Sequence, residues 1–143
     1  EHIIHLSDLR LEGFRLGLKE QGVALAEEHV SRAPFSREGI LQQAEGLLGL
    51  PNPPDAVFTY SDLHAAHFLR AARARGLRVP QDLSVIGFDG TDLSDYLELT
   101  TVDQGLDESG RLAAEMLMSR IADHGRPLQN TRLQLTVIER GTT

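Results

Sequence analysis

The chain has 143 residues, which suits one domain of ordinary size, or most of one domain and a piece of a second. Its 41% hydrophobic content excludes intrinsic disorder, the absence of cysteine excludes disulfides and thiolate chemistry, and the apolar runs are too short to span a bilayer. The net charge of −7 repels phosphate polymers, so any DNA contact is expected from a different segment of the gene.

Short apolar runs alternate with stretches of helical periodicity along the first half of the chain. Residues 3–6 are predicted to form a strand, and the helix that follows is predicted to end at Gly22. Residues 23–30 are predicted to form a second strand. A second helix is predicted to begin at Ser36 and to end before the prolines in residues 51–54.

The same alternation continues to about residue 90. Residues 56–60 are predicted to form a strand buried on both faces, because polar and apolar residues do not alternate along it. Ser61 and Asp62 are predicted to cap a third helix, and residues 84–88 to form the next strand. Strands that alternate with helices in this way predict an α/β fold, with a parallel sheet flanked by helices on both faces.

The last third of the chain has a different pattern. Residues 100–102 form a short extended run, and a long amphipathic helix is predicted over residues 107–124. Apolar and polar residues then alternate over residues 132–137, which predicts a strand with one solvent-exposed face.

Functional residues are expected beyond the carboxyl ends of the strands, where open parallel sheets bind their ligands. The side chains that leave these ends, together with one on the corner before the second helix, are Ser7, Asp8, Arg10, Ser61, Asp62, Asp89 and Phe35. A carboxylate that accepts from two adjacent hydroxyls, a guanidinium that donates a fork of hydrogen bonds and an aromatic ring that covers C–H groups can together bind a sugar.

Several of these residues have a structural alternative. Asp8 and Asp62 are suitable helix N-caps, and for Asp62 capping is favoured over direct ligand contact. Asp89 precedes a glycine and suits a turn, but its place directly after a buried strand favours a ligand role. Arg10 fits an exposed helix position equally well, and a lone phenylalanine such as Phe35 more often packs in a small apolar cluster.

Other patterns do not indicate an enzyme. His64 and His67 lie three residues apart on the third helix, but further metal ligands are missing, so a solvated helix face is favoured. The sequence has no phosphate-binding glycine motif and no Gly-x-Ser-x-Gly elbow. We therefore expect no catalytic residue, no metal and no cofactor.

Five segments carry a family resemblance. They are RLEGF at residues 10–14, SD at 61–62, GLRVPQDLSVIGFD at 76–89, LTTVDQ at 99–104 and ERGTT at 139–143. Together they resemble the C-terminal half of the effector-binding domain of lactose/galactose-repressor-type bacterial transcription regulators. The long segment that ends in Gly-Phe-Asp is the specific one, and the resemblance covers nearly the whole chain.

The resemblance implies a periplasmic-binding-protein-like fold, in which two α/β subdomains enclose a cleft. The C-terminal subdomain is expected to comprise residues 1–102 and 132–143. Residues 103–131 are expected to form a hinge crossing and a helix of the N-terminal subdomain. The DNA-binding domain is expected to lie outside the chain, and residues 95–97 and the third helix to lie near a homodimer interface.

The resemblance also implies roles for particular residues. Asp89 matches the carboxylate that holds effector hydroxyls, Arg10 an arginine that reaches into the cleft, and Phe35 an aromatic wall. Ser61 stands at a ligand-contacting position, and Gln104 at a hinge position that can touch the ligand. The full set of candidate effector-binding residues is Asp89, Arg10, Phe35, Ser61, Asp62 and Gln104.

The expected function is that of a ligand-sensing domain in a cytoplasmic, homodimeric transcription regulator that makes no membrane contact. Its effector is expected to be a sugar or sugar derivative, which modulates operator binding by a DNA-binding segment elsewhere. The first alternative is an extracytoplasmic sugar-binding protein that serves a transporter. An enzyme that uses Asp62 or Asp89 is ranked last, because no nucleophile–base pair is found in the sequence.

Overall fold

A computed structural model of the chain describes residues 6–32 and 36–143. The helices are α1 (Leu6–Glu20), α2 (Arg37–Leu48), α3 (Asp62–Ala74), α4 (Asp92–Tyr96) and α5 (Leu106–Ala122). The strands are β1 (Ala56–Phe58), β2 (Ser84–Asp89), β3 (Thr100–Asp103) and β4 (Thr136–Ile138). Of the strand predicted at residues 3–6, the first three residues lie outside the described residues, and Leu6 begins α1 instead.

The described strands form one sheet in the order β1-β2-β3-β4. The first three strands are parallel, and β4 runs antiparallel to β3. In the register of β2 and β3, Gly87 lies opposite Thr101 and Asp89 opposite Asp103. The predicted α/β class with a helix-flanked, mainly parallel sheet is confirmed, and this register sets the positions of the site residues.

One face of the sheet carries the main apolar core. Helix α3 packs on β2, and α2 packs on α3. Each of these helices begins with a serine cap, since the Ser36 hydroxyl accepts from the Gly39 amide at 3.1 Å and the Ser61 hydroxyl accepts from the His64 amide. The buried side chains of this core include Ala44, Leu47, Val57, Phe68, Leu69, Leu83, Val85 and Leu99.

Helix α1 lies on the opposite face, although none of its residues is buried. Phe14 of α1 stacks on Phe58 of β1 with a centroid distance of 5.1 Å, and Phe58 meets Phe88 of β2 edge-on at 6.3 Å. Helices therefore lie on both faces of the sheet, as strands with apolar residues on both sides require. This packing also brings the first turns of α1 toward the carboxyl ends of β1 and β2.

One predicted strand is wrong, and another is shorter than predicted. Residues 23–30 contain no strand but a single 3₁₀ turn at Glu27–His29, and Glu27 forms an ion pair with Arg15 at 2.5 Å. A central strand here would have to bury the charges of Glu27 and Glu28. At the C-terminal end only Thr136–Ile138 is paired, and its central residue Val137 is 59% exposed, so the expected division into one buried and one exposed face is absent.

The C-terminal residues form hydrogen bonds with the amino ends of β2 and β3. The Thr142 hydroxyl donates to the Val85 carbonyl at 2.7 Å and accepts from the Thr100 amide at 2.9 Å, while the Val85 amide donates to the Thr142 carbonyl at 2.8 Å. Nearby, Arg140 Nη1 donates to the Leu99 carbonyl at 2.8 Å. These contacts occupy the amino edge of the sheet and leave the carboxyl edge accessible.

Helix α5 stands apart from this core. It matches the long helix predicted for the last third of the chain, but none of its residues is buried, and Leu117, Met118 and Ile121 are each more than half exposed. Among residues 6–32 and 36–143, no helix is both apolar enough and long enough to cross a bilayer.

Candidate functional site

The carboxyl edge of the sheet brings together three of the predicted residues, Arg10, Asp89 and Gln104, which we call the carboxyl-edge cluster. Gln104 Nε2 donates to Asp89 Oδ1 at 2.8 Å. Arg10 Nη2 lies 3.8 Å from the same oxygen, which makes an ion pair without a direct hydrogen bond. These side chains come from α1, from the end of β2 and from the residue after β3, so their convergence depends on the tertiary fold.

Arg10 is held from several sides. Its Nη1 donates to the Tyr60 carbonyl at 2.5 Å, and its guanidinium carbon lies 3.8 Å from the centre of the Phe88 ring and 4.6 Å from that of Tyr60. The Arg10 side chain is only 17% exposed. Cation–π contacts of this kind hold a guanidinium in a fixed orientation. Arg10 is therefore not the freely solvated helix residue of the alternative reading.

The backbone at Asp89 and Gly90 makes a sharp turn at the end of β2. Asp89 has φ 115°, a value that costs a non-glycine residue about 1–3 kcal/mol. Gly90 has φ 73°, and a Cβ atom there would lie 2.8 Å from both Cα and Cβ of Asp103. The turn therefore needs glycine at position 90, and it places a strained aspartate within the cluster.

The Asp89 carboxylate is partly desolvated. Burial raises its pKa, the Arg10 charge opposes this effect, and the negative charge of Asp62 adds to it. Oδ1 faces both Gln104 and Arg10, whereas Oδ2 has no hydrogen-bond donor among the described residues. A hydroxyl donor at Oδ2 would compensate a charge that the protein alone solvates incompletely.

Asp62 lies behind the cluster and is 1% exposed. Its Oδ2 accepts from both the amide and the hydroxyl of Thr91 at 2.8 Å, and its Oδ1 accepts from the Thr101 hydroxyl at 2.6 Å. The expectation that Asp62 caps α3 is wrong, because Ser61 is the cap. Asp62, one of the predicted effector-binding residues, thus has its carboxylate bound by three protein donors and turned away from solvent.

Ser61 and His64 form a small polar pair at the start of α3. Ser61 Oγ lies 2.8 Å from His64 Nδ1, and the two residues are 6% and 8% exposed. The predicted solvated face is wrong for His64, whose ring also meets Tyr60 edge-on at 5.5 Å. Burial, followed by the charge of His67, lowers the pKa of His64. Among the described residues, no group of three ligand side chains could hold a metal ion.

The remaining predicted residues are not part of this cluster. Phe35 lies outside the described residues. Asp8 is not the cap of α1, because the helix already begins at Leu6, and its carboxylate pairs with Arg32 at 2.5 Å. Ser7 is an exposed residue of α1.

Sequence reasoning missed Tyr60 and Phe88, the aromatic residues that hold Arg10. Tyr60 is 37% exposed and directly follows the buried Thr59 beyond the end of β1. Phe88 directly precedes Asp89 in β2. The carboxyl-end rule that selected Ser61 and Asp89 was a usable signal for both aromatic residues, since each is adjacent in sequence to a selected one.

Comparison with known proteins identifies the family. Residues 2–143 match the family described as the periplasmic binding protein-like domain. The chain belongs to this family. The match confirms the fold that the sequence motifs implied, and it extends over both the parallel strands and helix α5.

Three similar proteins within this family are transcription regulators. The chain is 39% identical over 138 residues to the ribose operon repressor of Escherichia coli K12 and 35% identical over 140 residues to the repressor CytR of the same strain. The two alignments cover 94% and 96% of this chain, respectively, but only 41% of the length of each repressor. A LacI family regulator from Enterococcus faecium, solved with bound ribose, superposes with a TM-score of 0.85 at 29% identity, covering 94% of this chain and 50% of that one. These relatives confirm the resemblance to lactose/galactose-repressor-type regulators.

Proposed function

We propose that this domain senses a sugar for a bacterial transcription regulator. The effector binds at the carboxyl edge of the sheet, where Asp89 accepts hydrogen bonds from sugar hydroxyls and Arg10 donates to a neighbouring oxygen. Closure of the cleft on the effector then changes the affinity of the regulator for its operator. The effector shifts that affinity only as far as it prefers one conformation over the other.

The single observation that carries this proposal is the carboxyl-edge cluster itself. One carboxylate oxygen of Asp89 is occupied by Gln104 and Arg10, and the other has no donor in the described part of the chain. Arg10 and Asp89 offset each other's charge, so the cluster suits a neutral polyhydroxyl ligand better than an ion. The names of two relatives, a ribose operon repressor and a ribose-bound regulator, support a sugar effector.

The proposal includes a division of the chain. Residues 1–102 and 132–143 belong to the C-terminal subdomain, and residues 103–131 cross the hinge and place a helix in the N-terminal subdomain. The absence of buried residues on α5 supports this division. Operator DNA is bound through a segment outside these 143 residues, and we propose that the regulator acts as a homodimer in the cytoplasm.

The relatives favour a regulator over the alternatives. Both Escherichia coli relatives are transcription repressors, rather than transporter-associated binding proteins or enzymes. Ser61 and His64 are hydrogen-bonded, but the Ser61 hydroxyl already caps α3, which gives this pair a structural role.

The test is a ligand screen on the full-length protein. Thermal shift and calorimetry are measured with D-ribose, other pentoses, hexoses and nucleosides, because a ligand at 100 times its Kd raises the free energy of unfolding by about 2.7 kcal/mol. A sugar that stabilises the wild type is expected to lose this effect in Asp89→Ala and to keep it in the matched control Asp92→Ala, an exposed residue of α4. Stabilisation by no member of the panel, or full affinity in Asp89→Ala, contradicts the proposal.

A further inference from the structure

Asp62 connects the segments that surround the carboxyl-edge cluster. It stands at the first position of α3, and its carboxylate binds Thr91, two residues after Asp89, and Thr101 on β3. Thr101 lies three residues before Gln104 in the sequence. One buried carboxylate therefore holds both the turn that carries Asp89 and the strand that leads to Gln104.

The fold makes room for this carboxylate. A Cβ atom at Gly87 would lie 2.4 Å from Asp62 Oδ1 and 3.3 Å from the Thr101 hydroxyl. Gly87 pairs with Thr101 across β2 and β3, so the absent side chain on one strand leaves space for the hydrogen bond on the other. A buried carboxylate with three donors is stabilising only if every donor stays in place.

We propose that Asp62 is the positioning residue of the sugar site, which holds the Asp89 turn in its binding conformation by fixing Thr91 and Thr101. The inference rests on the proposed function, and it assigns Asp62 a role in forming the site instead of direct contact with the sugar. Asp89 has a strained φ of 115°, so the turn needs such an external restraint.

The positioning role of Asp62 can be measured without ligand, because the charge of Asp62 affects the pKa of Asp89. The ionisable groups around Asp89 are Arg10 on α1, Asp62 on α3, and Asp103 opposite it on β3. Burial and the charge of Asp62 both raise the pKa of Asp89, and Arg10 lowers it. Removal of the Asp62 charge is therefore expected to lower the pKa of Asp89.

The experiment compares Asp62→Asn with the wild type by carboxyl-carbon NMR titration and hydrogen exchange, both on the full-length protein without ligand. In Asp62→Asn the titration of Asp89 is expected to move to lower pH, and the protection of the Thr91 amide to fall by about tenfold, because a hydrogen bond to a charged acceptor is weakened. The matched control Asp92→Asn removes an exposed carboxylate three residues after Asp89 and is expected to change neither readout. An unchanged Asp89 titration together with full Thr91 protection overturns the proposal.

A second pair of variants covers the case in which Asp62→Asn does not fold. Thr91→Val removes one hydroxyl donor to Asp62, whereas Thr91→Ser retains it. D-ribose affinity, or that of any other sugar bound in the screen, is expected to fall about tenfold in Thr91→Val and to recover in Thr91→Ser. Equal loss in both variants overturns the positioning role. If the wild type binds no sugar, the proposed function fails, while the Asp89 titration and Thr91 exchange still decide whether Asp62 positions the turn.

Discussion

Replacement of Gly87 by alanine tests the packing on which the site depends. The added methyl group would lie 2.4 Å from Asp62 Oδ1 and 2.9 Å from Leu99 Cδ2. Neither neighbour can move easily, because the Asp62 carboxylate is held by three hydrogen bonds and Leu99 is completely buried. The strand or the carboxylate must therefore shift, and at least one of these hydrogen bonds is weakened.

The expected loss follows from these contacts. Overpacking of a buried site costs about 1–3 kcal/mol. A weakened hydrogen bond to a charged group costs about 1.5–3 kcal/mol. A glycine-to-alanine change also lowers the entropy of the unfolded chain, which stabilises the folded protein by about 0.4–1 kcal/mol and partly offsets these costs. A net loss of about 3 kcal/mol results, which lowers the urea midpoint by about 1.5 M for a slope near 2 kcal/mol/M.

Urea denaturation of the full-length protein, followed by circular dichroism, measures this loss. Gly46→Ala is the control, since a Cβ at this exposed position of α2 meets nothing within 4 Å and alanine is expected to stabilise the helix by about 0.5–1 kcal/mol. In an Asp62→Ala background the cost of Gly87→Ala is expected to shrink, because the nearest clashing atom is gone. A Gly87→Ala midpoint equal to that of the wild type, or the same cost in both backgrounds, refutes the packing argument.

Three further predictions concern stability. Because the pKa of His64 is lowered, the unfolded state binds more protons than the folded state as pH falls below the ordinary value of 6.5, and the free energy of unfolding decreases. His64→Gln is therefore expected to reduce this decrease between pH 7 and pH 5, as measured by urea denaturation. The raised pKa of Asp89 means that its favourable contribution is complete below 3.8 and is lost as pH rises through the folded-state value; Asp89→Asn is therefore expected to raise the melting temperature at pH 7 without effector, and a lower one contradicts this. Thr142→Val leaves the Val85 carbonyl and the Thr100 amide without their partner and is expected to cost about 2 kcal/mol in urea denaturation, whereas Thr142→Ser is expected to stay within about 1 kcal/mol of the wild type.

The strand-end rule predicted the position of the main charges, because the carboxyl ends of parallel strands share one edge of a sheet. Asp89 directly ends β2, and this adjacency is visible in the sequence. Arg10 required more, because it lies on a helix rather than on a strand end. The strand-end rule also named Arg10 but left an exposed helix position equally possible, and the family motif favoured the cleft; the structure places it 3.8 Å from Asp89.

The environment of Asp62 could not be read from the sequence. Its partners Thr91 and Thr101 are distant along the chain, and their approach depends on the register that sets Gly87 against Thr101. The preference of aspartate for helix N-caps therefore gave the wrong role. His64 is a different case, because it lies four and eight residues before the buried Phe68 and Ala72, so the helix periodicity did carry a signal for its burial.

The two edges of the sheet differ in a way that a purely structural role does not explain. At the amino edge, Thr142 satisfies backbone groups of β2 and β3 with short hydrogen bonds, which stabilises the fold directly. At the carboxyl edge, Asp89 has a strained backbone and a carboxylate that burial makes harder to ionise. Asparagine at this position could still accept the hydrogen bond from Gln104 without the cost of a partly buried charge. A carboxylate at this position gains further when an additional donor reaches its second oxygen, and the hydroxyls of a sugar supply such donors.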